Sequence, residues 1–370
     1  MSKPPQEIIR EEILALKAYH VPDAGGMVKL DAMENPYGLP ETLRNELSRV
    51  IDQAELNRYP DPGARRLKAR LRSVLGVPPG SDILLGNGSD ELIQMLIMAT
   101  ARPDAIVLGV EPSFVMFRMI AAFCRVRFEA VPLCHDYTLD AEAMLRAIAA
   151  VQPTLIFIAY PNNPSGNLFD EQALAHIIEA APGLVVIDEA YHAFAGKSWL
   201  PRIGDYPNLL VMRTLSKLGL AGLRLGLIAG RTEWLSEVDK VRLPYNVNVL
   251  TQSIAERVLQ HHDVLAQQAL AIKAERAALF SALQRIPGAV PYPSDANFIL
   301  FRIVDAPRVF ERLKERGILI KNLHGSHPAL ADCLRVTVGT PEENERFLSV
   351  LRDITTNVPG ADSGGGRRLE

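Results

Sequence analysis

Lys217 stands in Thr214-Leu215-Ser216-Lys217, after an apolar run and ahead of a glycine-rich stretch from Gly219 to Gly226. Burial on such a loop disfavours the charged form of an amine and frees it for attack on a carbonyl, the first requirement of Schiff-base chemistry. Arg224 follows seven residues later, where its planar fork, together with the Ser216 hydroxyl, can hold a phosphate. Without that arginine, Ser-Lys reads first as a surface lysine.

Four more segments bear on the same chemistry. Val185-Val186-Ile187-Asp188-Glu189-Ala190-Tyr191 puts a carboxylate at the end of an apolar run, the edge at which open α/β sheets bind ligands. Beside a pyridine nitrogen, Asp188 would keep the ring protonated and make it an electron sink, and Tyr191 lies within reach of a ring oxygen. The alternative is magnesium on Asp188 and Glu189. Tyr160-Pro161-Asn162-Asn163-Pro164-Ser165-Gly166 is first a tight turn, from which Asn163 can also donate to a phenolic oxygen. Leu85-Gly86-Asn87-Gly88-Ser89-Asp90-Glu91 precedes a helical pattern, and free amides at a helix start bind anions; capping by Ser89 or Asp90 is the rival reading. The fragment lacks the G-x-x-x-x-G-K-[ST] pattern of a triphosphate site. Asn57-Arg58-Tyr59-Pro60-Asp61-Pro62 offers an aromatic hydroxyl on a stiff loop. Each is weak alone, and each makes sense around one phosphorylated aromatic aldehyde.

The elements that must position these residues alternate. Apolar runs at Ile83–Leu85, Ala105–Val110, Val126–Val131, Leu155–Ala159, Val185–Asp188, Leu209–Met212 and Leu225–Ala229 predict strands. Helical patterns at Asp90–Ala101, Asp140–Ala150 and Glu171–Ala181 fall between them, predicting an α/β fold with a mostly parallel sheet covered on both faces. Beyond about residue 250 the texture changes. A long helical pattern from Thr251 to Arg285, interrupted near His261-His262, precedes a strand at Asn297–Ile303, a helix at Pro307–Arg316, strands at Ile318–Ile320 and Cys333–Val338, and a final helix opened by a Thr340–Glu343 capping box. This is a smaller α+β unit. The expected division is an arm plus part of the small domain over 1–52, a large domain over 53–255, a small domain over 256–357 and a disordered tail over 358–370. The first twenty residues predict one amphipathic helix whose apolar side needs a surface to cover, a second subunit being one candidate.

Bulk properties exclude other classes. Forty basic against 43 acidic residues, a formal net charge of −3, give no footprint for nucleic acid. Arg65, Arg66, Lys68, Arg70 and Arg72 are spaced as a solvated helix face. Three cysteines without C-x-x-C spacing suit reduced thiols. Neither a secretory leader nor an apolar run long enough for a membrane span is present, so the expected location is the cytoplasm. His261-His262 point apart on a helix, and His324 and His327 lie in a Gly/Pro loop that serves substrate contacts or solvation rather than a metal.

Taken in order, the segments resemble fold-type I pyridoxal-phosphate enzymes, and within them the histidinol-phosphate aminotransferase family. Leu30-Asp31-Ala32-Met33-Glu34-Asn35-Pro36-Tyr37, R-Y-P-D-P, G-N-G-S-D-E, Y-P-N-N-P-S-G, D-E-A-Y, R-T-L-S-K, A-G-L-R-L-G, Asn297-Phe298-Ile299-Leu300 and the closing C-L-R-V-T-V-G-T carry the likeness over roughly residues 15–355. The resemblance implies a large and a small domain and pyridoxal 5′-phosphate as cofactor. It implies amino transfer between glutamate and imidazole acetol phosphate in histidine biosynthesis, in a homodimer with shared active sites. Lys217, Asp188 and Tyr191 would be catalytic. Gly88, Ser89, Asp90, Ser216 and Arg224 would hold the cofactor phosphate, joined by Tyr59 from the neighbouring subunit, with Asn163 at the ring oxygen and Phe114 stacked on the ring. Tyr19, Asn35, Lys321 and Arg335 would meet the substrate. The sequence departs from the family in three places: seven rather than eight residues separate Lys217 from Arg224, Lys321 replaces a second arginine, and Phe114 replaces a tyrosine. Rival readings are an aromatic-amino-acid aminotransferase, a threonine-phosphate decarboxylase, and a pyridoxal-phosphate carrier or regulator without turnover.

Overall fold

In the computed structural model, which describes residues 3–16, 18 and 22–356, the seven expected apolar runs form one sheet. Strand β1 is a short segment, Val28–Lys29. The sheet itself comprises β2 (Ser81–Asn87), β3 (Ile106–Glu111), β4 (Arg127–Pro132), β5 (Leu155–Ala159), β6 (Leu184–Asp188), β7 (Leu209–Thr214) and β8 (Leu225–Arg231). Its order is β2-β8-β7-β6-β5-β3-β4. Only β8 runs against its neighbours, while β7, β6, β5, β3 and β4 pair in parallel.

Every residue of β5, β6 and β7 is buried, as a sheet covered on both faces requires. One core lies on each face: Ile156, Ile158, Val185 and Ile187 point into the first, and Phe157, Leu184, Val186 and Met212 into the second. The alternation follows from the two-residue period of a strand.

The second unit is built on β9 (Ala289–Pro291), β10 (Phe298–Ile303), β12 (Lys321–Asn322) and β13 (Cys333–Thr337), in the order β12-β13-β10-β9. Strand β11 (Ile318–Leu319) pairs in parallel with β1, so the chain start is stitched into this unit. The helix His262–Leu283 joins the two cores, with Leu265 in the large-sheet core and Ala269, Ile272, Leu279 and Leu283 in the small one. Its break from Val249–Gln260 falls at His261, and Thr340 and Glu343 exchange the two capping hydrogen bonds expected of them.

The single N-terminal helix is corrected. Two four-residue helices, Pro5–Ile8 and Glu11–Leu14, flank an extended Ile9 and Arg10, because this segment buries no residue that could reward a continuous helix. The arm is tied down instead by Arg10, which donates to the Phe123 carbonyl at 2.7 Å. The expected tail over 358–370 lies outside the described residues. No helix among them is long and apolar enough to cross a membrane.

Candidate active site

The loops leaving β2, β3, β5, β6 and β7 all emerge at one edge of the sheet, and β8 enters there because it is antiparallel. Ser89, Phe114, Asn163 and Lys217 follow β2, β3, β5 and β7, Asp188 ends β6, and Arg224 immediately precedes β8. Together with Asp90, Tyr191, Ser216, Thr214 and Met33 they line one cavity of about 110 Å³. The expected residues thus converge from widely separated stretches of chain.

Lys217 occupies the irregular turn Ser216–Leu220. Its Nζ donates to the Ala32 carbonyl at 2.9 Å. Burial, and secondarily the Arg335 charge, bring its pKa down to about 8, so a usable fraction of the amine is neutral near physiological pH. Asp188 closes β6 opposite Ala159 and Met212. Burial pushes its carboxyl up to about 7, against the opposing pull of the Ala190 N–H. A carboxyl held so reluctantly as an anion is ready for a positive partner at the cavity floor. Tyr191 is buried edge-on to Phe298, 5.1 Å between ring centroids, and burial raises its phenol.

The magnesium reading of Asp188 and Glu189 fails on direction. Glu189 turns away from the cavity and is fully buried. Its Oε2 accepts two hydrogen bonds from Arg213 at 2.9 and 2.8 Å and one from Ser198, and its Oε1 accepts from the Trp199 N–H, so both oxygens are engaged within the protein. No cluster of metal-ligating side chains occurs among the described residues.

The paired asparagines divide their work. Asn162 is consumed by Ser165 in its own turn and by Ser113 and the Pro112 carbonyl in the loop after β3. Asn163 accepts from Arg335 through Oδ1. Because a guanidinium has only donors, this contact fixes which end of the amide is oxygen, and the Asn163 N–H₂ is left for the cavity.

The anion cradle sits at the start of the helix Ser89–Thr100, with Gly88 at its cap in a left-handed conformation, φ 88°. A Cβ at Gly88 would lie 2.7 Å from Arg224 Nη2, so glycine is what lets the guanidinium close over the helix end. Arg224 also reaches the Ser216 hydroxyl at 3.5 Å and Asp90 at 3.6 Å. Burial raises the Asp90 carboxyl while Arg224 lowers it. Free amides, a serine hydroxyl and an arginine fork suit a phosphate monoester.

A second cavity of about 360 Å³ adjoins the first and shares Met33, Phe114 and Asn163 with it. It contains Lys321 and Arg335, which face each other across the β12–β13 pair. Arg335 is buried over the Phe298 ring and also donates to the Asp31 carbonyl at 3.1 Å. Burial, then Arg335, lower the Lys321 amine.

Two expected residues stand elsewhere. Asn35 does not line either cavity: its amide is spent on the Leu218 carbonyl, Gln268 and the Tyr37 N–H, so it props the loop that carries Lys217. Tyr59 is 79 % exposed and stacked on Tyr245, ring centroids 4.3 Å apart, away from this chain's own cavity. Tyr19 lies outside the described residues. Sequence reasoning did not single out Met33, which lines both cavities at φ 55°, or Arg213, whose role depends on strand pairing.

The family model for aminotransferase class I and II matches residues 25–351. Histidinol-phosphate aminotransferase 1 of Ralstonia nicotianae is 54 % identical over 357 residues, covering 95 % of this chain and 96 % of that one. The chain belongs to the histidinol-phosphate aminotransferase family, within aminotransferase class I and II. Among solved structures, the histidinol-phosphate aminotransferase of Sinorhizobium meliloti in complex with pyridoxal-5′-phosphate is similar at TM-score 0.84 and 25 % identity, over 94 % of this chain and 97 % of that one. L-threonine-O-3-phosphate decarboxylase of Porphyromonas gingivalis is similar at TM-score 0.77 and 20 % identity, over 90 % and 100 %, a likeness that shows the fold alone. The chain is an aminotransferase, and the rival decarboxylase reading keeps only a shared architecture.

Proposed function

We propose that this aminotransferase binds pyridoxal 5′-phosphate and exchanges an amino group between histidinol phosphate and 2-oxoglutarate, a step of histidine biosynthesis. One observation carries the reading. A buried lysine amine with a depressed pKa, a buried carboxyl and a phosphate cradle line one cavity, which adjoins a second cavity holding Lys321 and Arg335. The 54 % identity to a histidinol-phosphate aminotransferase supports the substrate.

When bound, the cofactor supplies a reactive aldehyde and a ring that takes up electrons from the substrate's Cα. Lys217 would provide the amine that holds it and would move the proton at the substrate's Cα. Asp188 would hold a proton on the ring nitrogen, and Asn163 and Tyr191 would donate to the ring oxygen. Ser89, Asp90, Ser216 and Arg224 with the Gly88 turn would hold the phosphate, and Phe114 would pack against the ring. Arg335, with Lys321 beside it, binds the substrate anion, which is a carboxylate in glutamate and a phosphate in histidinol phosphate; a guanidinium fork suits both. Tyr59 reaches the cofactor phosphate of a second copy, making a homodimer the working unit.

Two measurements test this. Borohydride reduction of the holoenzyme followed by peptide mapping should label Lys217, and a label on another amine overturns the anchoring role. Single-turnover reactions should convert the cofactor with glutamate and with histidinol phosphate. Conversion by phenylalanine at a higher kcat/KM than histidinol phosphate would give the protein to the aromatic class instead, and release of carbon dioxide from threonine phosphate would mark a decarboxylase.

A further inference from the structure

The hairpin between β12 and β13 carries Lys321 and Arg335 on its paired residues, and its loop returns along the second cavity with His327 in the wall. We infer that His327 is a specificity-determining residue, whose Nε2–H reads the phosphate of the substrate as a third donor beside Lys321 and Arg335. The inference rests on the histidinol-phosphate reading given above.

The tautomer is set by the backbone. His327 Nδ1 accepts from the Ala329 N–H at 3.2 Å, capping the turn Pro328–Leu330. An amide can only donate, so Nδ1 presents its lone pair and the proton of the neutral ring sits on Nε2. Among the described residues nothing engages that nitrogen, and the side chain is half-buried in the cavity wall.

The loop is built, not loose. Tyr137 donates to the Ala329 carbonyl at 2.9 Å and Arg302 to the same oxygen at 3.2 Å. His324 Nδ1 accepts from the Asp332 N–H at 3.0 Å. Ser326, which also lines the cavity, donates its hydroxyl proton to the Leu323 carbonyl at 2.6 Å, so it is not a free donor there. His327 is.

A carboxylate has two oxygens to satisfy and a phosphate monoester three. Lys321 offers its donors on a flexible stem without a planar fork, whereas the Ala329 cap fixes the direction of the His327 donor, which is placed for the third oxygen that a phosphate has and a carboxylate lacks. Glutamate then depends on His327 little, and histidinol phosphate depends on it strongly.

The test uses the holoenzyme in single-turnover half-reactions, followed by cofactor absorbance, with histidinol phosphate, histidinol and glutamate. His327→Asn keeps an acceptor near the Nδ1 position for Ala329 but ends short of Nε2; His327→Gln carries an N–H₂ to the Nε2 position and abandons the cap. The expected result for His327→Asn is a loss of about tenfold to a hundredfold in kcat/KM for histidinol phosphate. Glutamate and histidinol should stay near wild type, and His327→Gln should recover most of the loss. Equal losses on glutamate and histidinol phosphate, no loss in His327→Asn, or a larger loss in His327→Gln than in His327→Asn would overturn the inference, since the residue would then be a loop brace. A wild-type enzyme that converts glutamate but not histidinol phosphate would instead overturn the substrate reading itself.

Discussion

Asp188 is a carboxyl that folding makes harder to ionise, and this has a consequence for the cofactor-free protein. Its pKa rises from the ordinary carboxylate range to about 7 on burial. The folded state therefore holds a proton that the unfolded state has released between about pH 4 and pH 7, and stability falls as pH rises through that window. Asp188→Asn cannot ionise and keeps the oxygen that accepts from Ala190. Thermal unfolding of cofactor-free protein should show the variant gaining on wild type from pH 4 to 7, reaching on the order of 4 kcal/mol above pH 7. Transaminase activity should fall by orders of magnitude over the same range. A difference in stability independent of pH would mean that the carboxyl is ionised at no cost. Beside it, Glu189 and Arg213 form a buried pair at 2.8 Å, 0 % and 6 % exposed. Arg213→Ala would leave Glu189 charged and unpartnered, a loss of about 3–5 kcal/mol by denaturant unfolding, while a joint Glu189→Leu and Arg213→Met replacement should recover most of it.

Strands and turns decide how much of this was readable in advance. The runs that became β5, β6 and β7 were legible because a strand buried on both faces must be apolar throughout, and Asp188 stood out as the charge that ends one. Arg213 was not legible as the partner of Glu189: 24 residues separate them, and they meet only because Asp188 pairs with Met212 across β6 and β7. Segments of two or three residues such as β1, β9 and β12 carry no periodicity to detect. Asn35 sat in a motif that resembled a substrate contact, yet only the packed position of Gln268 and Leu218 shows that its amide is spent on the Lys217 loop. The glycine cap of the Ser89 helix was legible as a motif, and its necessity is geometric. Gly88→Ala places a methyl group against Arg224 in a left-handed conformation, costing about 1 kcal/mol of stability. Cofactor retention should drop roughly tenfold as the arginine is displaced, measurable by equilibrium dialysis of pyridoxal phosphate. Unchanged retention would remove Arg224 from the cradle. We propose that the chain divides where the long helix His262–Leu283 passes from one core to the other, with the second cavity at the seam.

The molecule as one chain leaves Tyr59 without a task. It is exposed and stacked on exposed Tyr245, in company with Leu56 and Leu243, 67 % and 71 % exposed. We propose that this concentration of exposed apolar side chains is an interface, and a two-fold interface would return each Tyr59 to the other copy's phosphate cradle. Hybrid dimers test the arrangement. Lys217→Ala chains lack the anchoring amine, and Tyr59→Ala chains lack the crossing hydroxyl. If Tyr59 acts across the interface, a hybrid contains one site with both defects and one with neither. An equimolar mixture dissociated and reassociated at random should then recover about a quarter of wild-type activity, far above either parent. If Tyr59 served the site of its own chain, each hybrid site would keep one defect and mixing would restore nothing. A monomer by sedimentation at assay concentrations would refute the shared site as firmly as a failed rescue.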